Sequence, residues 1–428
     1  MKHYIFEIIN KSLFSKLESN YLKNTFVVFI GNIINAILTF VLSAIITRLY
    51  SPANFGAYAV LLSVSTITAT ISTFRLENIF FLKTEFPIKL IIISILIISL
   101  TFNLILSFIL ISFSFFYILP SYYLYVPILS QLIAIYSCFR NYNSSAGFYK
   151  SLSILAIFKT IVFLLIAVFL GIIEKKEMGL IIAGIFSQFF ESFTFVYLYF
   201  RQNKGESEIS FIIQKIKLII ERYKGFPVYA LPAELFNVLS NQGPTIILVY
   251  FFGEKYAGYF SLVQRMLGAP VKLFSGSIGE VFRREAMLKY NNNSNIRSLV
   301  LRTCLGLALI GAIPFTLLFY FSSDIISFLF GNEWIESKQY VEILLSYFYL
   351  QFCISPMSYI LYILEKQKIN LKWQILLFIF TISSLSIGGL LNNPRLSIIL
   401  FSISYSLMYI IYLFIILYVI EKAKYSSS

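Results

Sequence analysis

At 428 residues, 58% of them hydrophobic and only 13% charged, the chain is too apolar to be a water-soluble globule. A single histidine (His3) and three scattered cysteines (Cys138, Cys304, Cys353) exclude histidine-based general base catalysis, most zinc chemistry and a disulfide framework. The formal charge of +14 would suit nucleic acid, but its placement assigns it to a membrane instead.

From Asn24 to Ile420 the sequence is a succession of about twelve apolar stretches, each close to the ~20 residues that cross a hydrocarbon core. The runs are continuous, as helices require, whereas barrel strands alternate over about ten residues. The predicted spans are 24–47, 54–74, 88–113, 122–139, 152–173, 178–200, 226–252, 256–280, 300–323, 339–363, 370–391 and 397–420. Lys2, Lys11, Lys16 and Lys23 precede the first span without a small-residue cleavage pattern, so that span is expected to be a retained signal anchor.

With both termini cytoplasmic, most of the 34 lysines and arginines fall on inside segments. Only Arg48, Lys175, Lys176, Lys255, Lys338 and Arg395 fall outside, and Lys159, Arg265 and Lys272 lie within spans. This asymmetry follows the positive-inside rule and favours anionic headgroups at the cytoplasmic face. The longest polar stretch, Arg201 to Lys224, contains an apolar set from Phe211 to Ile219 that predicts a short interfacial helix. It divides six spans from six, so the expected units are residues 1–200, a cytoplasmic linker at 201–225, and residues 226–428. The stretches after spans one and seven, around Gly56 and Gly258, resemble each other, as a parallel duplication requires.

Four helices carry polar or small residues at helical spacing. Span one has Asn32, Asn35, Thr39 and Ser43; span two has Ser63, Thr66, Thr70, Thr73 and Glu77. These faces either pack helices or line water. Span seven has Ala230, Glu234, Asn237, Asn241 and Pro244. Span eight has Ser261, Arg265, Gly268, Lys272, Ser275 and Gly279, and two cations deep in a span point to a water-filled cavity whose natural guest is an anion. Lys159 either lines that cavity or snorkels to the surface. Glu191 either pairs between helices or couples an ion. Glu234, flanked by Pro227, Pro232 and Pro244, either binds a proton or Na⁺ or pairs with Arg265 or Lys272. Arg48 and Arg75 either touch substrate or anchor helix ends. No nucleotide-binding loop and no cluster of metal ligands is present in the sequence.

Arg48-Leu-Tyr-Ser-Pro-Ala-Asn-Phe-Gly-Ala-Tyr58, Arg75-Leu-Glu-Asn-Ile79 and the stretch from Phe226 to Glu285 resemble signatures of the polysaccharide transporter family. That stretch includes Gly243-Pro244, Tyr256-Ala-Gly-Tyr259, Arg265, Ala269-Pro270 and Val281-Phe282-Arg283. The resemblance is to its Wzx-type flippases of O-antigen, capsule and related repeat units, within the multidrug/oligosaccharidyl-lipid/polysaccharide exporter superfamily. It implies an all-α polytopic fold of two six-helix bundles around a central cavity in the bacterial inner membrane. It also implies a transporter, not an enzyme, that moves undecaprenyl-pyrophosphate-linked glycans from the cytoplasmic to the outer leaflet by alternating access. The expected substrate contacts are Arg265, Lys272, Lys159, Arg48, Asn237, Asn241, Asn32 and Asn35, with Glu234 and Glu191 as ion-coupling candidates. No cofactor is expected beyond possible H⁺ or Na⁺ coupling, and the polysaccharide polymerase and chain-length regulator are expected partners. The alternatives are a multidrug or other lipid exporter of the same superfamily, or a membrane-embedded polymerase or ligase. The basic central pair argues against the first and the short outer loops against the second.

Overall fold

A computed structural model describes residues 30–31, 33–116, 120–174, 176–202, 212–292 and 295–426. Asn32 lies outside the described residues, as does the side chain of Lys272. Among the described residues there is no strand. The helices are α1 (Ile33–Ile46), α2 (Pro52–Ser72), α3 (Ile88–Phe116), α4 (Val126–Ser145), α5 (Tyr149–Ile172), α6 (Lys176–Gln202) and α7 (Ile212–Arg222). They continue with α8 (Leu231–Phe252), α9 (Glu254–Val263), α10 (Ala269–Asn291), α11 (Ile296–Phe330), α12 (Ser337–Ile354), α13 (Tyr359–Ile363), α14 (Gln367–Leu390) and α15 (Pro394–Ser426).

Among the described residues, ten helical segments are long and apolar enough to cross a membrane. The other two expected spans coincide with α1 and with α9–α10, neither of which meets that length and hydropathy on its described residues. The outer faces of α3 and α11 leave Leu104, Ile105, Phe108, Leu305, Leu309 and Ile313 exposed, a surface that only lipid can solvate. The fold is an all-α polytopic membrane protein.

Local chemistry sets the ends of the key helices. Ser51 caps α2, its hydroxyl accepting from the Asn54 amide while Asn54 Oδ1 accepts from the Ser51 amide, with Pro52 preset for the first turn. The path through α9 and α10 is broken by a π-helical turn, Gln264–Gly268, and a second π-helical turn, Phe226–Ala230, leads into α8. Each ends two residues before a proline, Pro270 and Pro232. A proline has no amide hydrogen for the carbonyl four residues back, and its ring clashes with it, so the preceding turn widens. Span eight, expected to be one continuous helix, is therefore two.

In the first bundle α2 packs on α4, α4 on α3 and α6, and α5 on α6; in the second α8 packs on α14, α14 on α15, and α12 on α11 and α15. The bundles meet where α2 runs along α8 and α9. At the end of the seam that the charge bias places outside, two glycines make a reciprocal crossing. A Cβ on Gly56 would stand 1.8 Å from the Glu254 carbonyl oxygen, and one on Gly258 would stand 1.9 Å from that of Pro52. Only glycine lets the backbones approach so closely. Trp334 is buried beside this crossing, edge-on to Phe55 at 4.8 Å, and its indole N–H donates to the Thr47 carbonyl. The outer end of the seam is closed.

Candidate functional site

Between the bundles, below the closed end, lies a cavity of about 160 Å³ lined by Thr39, Leu42, Ser43, Ile46, Tyr58, Lys159, Thr160, Phe163, Ser187 and Arg265. It is smaller than the roughly 300–1,000 Å³ of a drug-sized pocket. A phosphate-sized group fits it; a whole oligosaccharide does not. One wall comes from α1 and α2, another from α5 and α6, and Arg265 faces them from the second bundle.

Arg265 owes its position to the π-helical turn, which interrupts the helix at the depth of the cavity. Its guanidinium carbon stands 5.3 Å from the Phe55 ring centre and 5.8 Å from that of Tyr58. Among the described residues no carboxylate pairs with it. Each ring contact is worth about 0.5–2 kcal/mol. Removing an ion from water costs several kcal/mol, so two rings leave the charge undercompensated. The site is poised for an anion.

Lys159 enters from α5 and lines the same cavity, but Glu191 holds it at 3.0 Å and Gln188 accepts from it. Hydroxyls complete the wall. Thr160 donates to Asn35 Oδ1 at 2.7 Å, and Thr39 and Ser43 donate to carbonyls one turn back on α1, which leaves their lone pairs toward the cavity.

The structure therefore brings Arg265 and Lys159 together, with Asn35 braced behind Thr160. Arg48 is elsewhere, at the outer end, where it donates to the Phe328 carbonyl at 2.7 Å. Asn237 and Asn241 lie one turn apart on α8, Asn241 donating to Asn237, and neither lines the cavity. Glu234 pairs with Arg75 at 3.7 Å and not with Arg265, while the side chain of Lys272, the other cation expected for it, lies outside the described residues. Of the described members of the span-eight stripe besides Arg265, Gly268 meets Phe348, Gly279 meets Tyr359, and Ser261 donates to the Gly258 carbonyl. In span two the threonines donate to their own helix. Tyr58, Thr160, Phe163 and Ser187 also line the cavity; the sequence signals for them are that Tyr58 closes the Gly56-Ala-Tyr58 motif and Thr160 adjoins Lys159.

The family described as "Polysaccharide biosynthesis protein" matches residues 45–339. A search among curated protein sequences finds no match. Among solved structures, the chain is similar to the lipid II flippase MurJ in an inward closed conformation (TM-score 0.69, 12% identity, 92% of this chain and 87% of that one). It is also similar to an inward-facing multidrug resistance MATE family transporter of the MOP superfamily (TM-score 0.64, 12% identity, 95% and 96% covered). A Vibrio cholerae MATE transporter gives a TM-score of 0.59 at 16% identity, with 96% and 98% covered. At such identities the likeness is one of fold.

Proposed function

The chain belongs to the polysaccharide biosynthesis protein family, and from that premise we propose that it is a flippase for lipid-linked glycans. Its substrate in this reading is an undecaprenyl-pyrophosphate-linked oligosaccharide repeat unit of O-antigen or a similar surface polysaccharide. The unit enters at the cytoplasmic leaflet of the bacterial inner membrane and leaves at the outer leaflet by alternating access. A polymerase and a chain-length regulator take it onward. The fold's likeness to a lipid II flippase and to MOP superfamily transporters supports a transporter and not an enzyme.

The observation that carries the reading is Arg265, a cation inside the membrane that faces a hydroxyl-lined cavity and has no carboxylate partner among the described residues. A pyrophosphate headgroup must cross ~30 Å of hydrocarbon, and a fixed cation offsets its transfer into low dielectric. The hydroxyls of Thr39, Ser43, Thr160 and Ser187 suit phosphate oxygens and the first sugar, while the prenyl tail stays in lipid. An exporter of cationic drugs would require an acid at this position, and among the described residues the lining contains none.

The test is complementation of a bacterium lacking its own repeat-unit flippase, with surface polysaccharide and the leaflet of accumulated repeat units scored together. Wild type should restore export and Arg265→Ala should leave repeat units inside. Normal export by the variant at matched expression would overturn the reading.

A further inference from the structure

The oxygens of an ionised phosphate accept hydrogen bonds and give none, so a cavity that holds one must offer uncommitted donors. Most hydroxyls of this cavity are committed. Thr39 donates to the Asn35 carbonyl at 2.7 Å, Ser43 to that of Thr39 at 2.8 Å, Ser187 to that of Gly184 at 3.0 Å, and Thr160 to Asn35 Oδ1 at 2.7 Å. As they stand, these side chains present lone pairs, which suit the hydroxyls of a sugar better than a phosphate oxygen. The Lys159 ammonium is shared between Glu191 and Gln188. Arg265 rests against the rings of Phe55 and Tyr58 and donates to no acceptor among the described residues, which leaves its N–H fork free.

Tyr58 brings a second free donor. It lines the cavity with only 8% of its surface exposed, and its hydroxyl donates to no acceptor among the described residues. Buried tyrosines ordinarily spend that bond. Tyr50 donates to the Ala167 carbonyl at 2.7 Å, Tyr122 to Glu254 at 3.0 Å and Tyr412 to Asn370 at 2.9 Å. The Tyr58 ring is fixed from two sides. Phe163 of α5 stacks on it at 5.5 Å, and Gly184 of α6 leaves it room, since an added Cβ there would stand 2.4 Å from Cε2 and 3.0 Å from the hydroxyl oxygen. Arg265, from the second bundle, stands 5.8 Å from the same ring centre. A held aromatic thus carries one unspent O–H beside an unspent guanidinium, at a cavity of phosphate size.

We propose that Tyr58 is a headgroup ligand, its hydroxyl donating to a phosphate oxygen of the anion that Arg265 holds. This rests on reading the cavity as an anion site. The donor count divides the labour. The phosphate sits between Arg265 and Tyr58, one donor from each bundle, while the lone pairs of Thr39, Ser43, Thr160 and Ser187 receive hydroxyls of the first sugar. A hydrogen bond to a charged acceptor is among the stronger ones, so this single O–H carries a measurable share of the affinity. Without ligand the same hydroxyl contributes nothing to the fold, because it has no partner to lose.

The test uses the full chain in phosphatidylcholine nanodiscs, titrated with farnesyl pyrophosphate by calorimetry and melted separately without ligand. Tyr58→Phe keeps the ring against Arg265 and removes only the hydroxyl. It should bind about tenfold more weakly and melt no lower than wild type. Tyr50→Phe, which loses the bond to Ala167, should do the reverse: melt lower and bind as wild type does. Inorganic pyrophosphate should suffer the same loss in Tyr58→Phe as the prenyl ligand, since the contact is to a phosphate oxygen; a loss confined to the prenyl ligand would overturn that assignment. Wild-type affinity in Tyr58→Phe would overturn the proposal, as would an equal loss in Tyr50→Phe. If Arg265→Ala still binds more weakly in that case, the anion site stands without Tyr58; if Arg265→Ala also binds as wild type, both readings fall.

Discussion

Arg265 is held over two aromatic rings and not against an acid, so truncating it strands no buried carboxylate. Arg265→Ala should fold and lose about a hundredfold in headgroup affinity, within the 2–5 kcal/mol typical of losing a desolvated charge contact. Arg265→Lys should recover only part of that, since an ammonium keeps the charge but not the planar stacking on Phe55 and Tyr58. Titration with a prenyl pyrophosphate distinguishes the three proteins. The cytoplasmic end of α2 behaves differently. Phe74 and Arg75 both adopt the left-handed region, with φ of 49° and 57°, which costs non-glycine residues about 1–3 kcal/mol each. That turn sets Arg75 3.2 Å from Glu77 and 3.7 Å from Glu234. Burial pushes the Glu77 carboxyl above its usual range, with Arg75 pulling it partly back. A carboxyl raised by folding weakens the fold as pH climbs from its ordinary value through its raised one. Glu77→Gln should therefore cost nothing at neutral pH, whereas Arg75→Ala strands a buried acid and should cost about 3 kcal/mol. Apparent melting temperatures in detergent decide between these. Arg265 was legible in the sequence as a deep cation on a helical stripe. The partner of Glu234 was not, because it lies at the end of a helix in the other bundle.

The reciprocal crossing of α2 and α9 is the element-level feature most open to test. The obstacle each added Cβ would meet is backbone, not a side-chain tip, so the helices themselves must separate. Gly56→Ala and Gly258→Ala should each favour an arrangement open to the outside. A cysteine introduced at Ser43, in the cavity, should then react with a membrane-impermeant maleimide from outside about tenfold faster, the effect of roughly 1.4 kcal/mol. Unchanged labelling would mean that the crossing does not gate the cavity. The sequence sets the two glycines in like stretches after spans one and seven, but nothing in it says that those stretches meet. The π-helical turns could not be read from it either, although Pro232 and Pro270 were in plain view. A proline announces a disturbed turn, but not whether the helix bends, stops or widens. That ambiguity is why the sequence presents span eight as one polar face over its whole length, whereas Gly268, at the end of the widened turn, meets the ring of Phe348 and Gly279, beyond it, meets that of Tyr359.

Among the described residues, three inter-bundle hydrogen bonds lie at the outer end, with Ser63 donating to Gln242 midway along the seam and Arg75 paired with Glu234 at the cytoplasmic end. Trp334 donates to Thr47, Arg48 donates to Phe328, and Tyr122 donates to Glu254 at 3.0 Å. Trp334 also packs on Phe55 and on Tyr259 at 6.2 Å. Truncating a buried tryptophan costs about 3–5 kcal/mol, and here the outward-closed arrangement takes that loss. Trp334→Ala should expose the cavity to the outside and slow transport while leaving headgroup binding intact, as labelling at Ser43→Cys and a binding titration would record together. Hydropathy disclosed the membrane-spanning class and the positions of the helices, because twenty apolar residues in lipid have few alternatives. It gave no hint of Trp334, one aromatic in a short outer loop, since its role exists only once the bundles close around it.

The most direct measurement is flipping itself: proteoliposomes loaded with a fluorescent prenyl-pyrophosphate-linked glycan, with quencher added outside and the rate of leaflet exchange recorded. Wild type should exchange the lipid within the assay, and Arg265→Ala, incorporated at the same density, should fall to the rate of protein-free vesicles. Equal exchange by the two proteins would contradict the account, because the cation at the centre of the cavity would then have no part in carrying the headgroup.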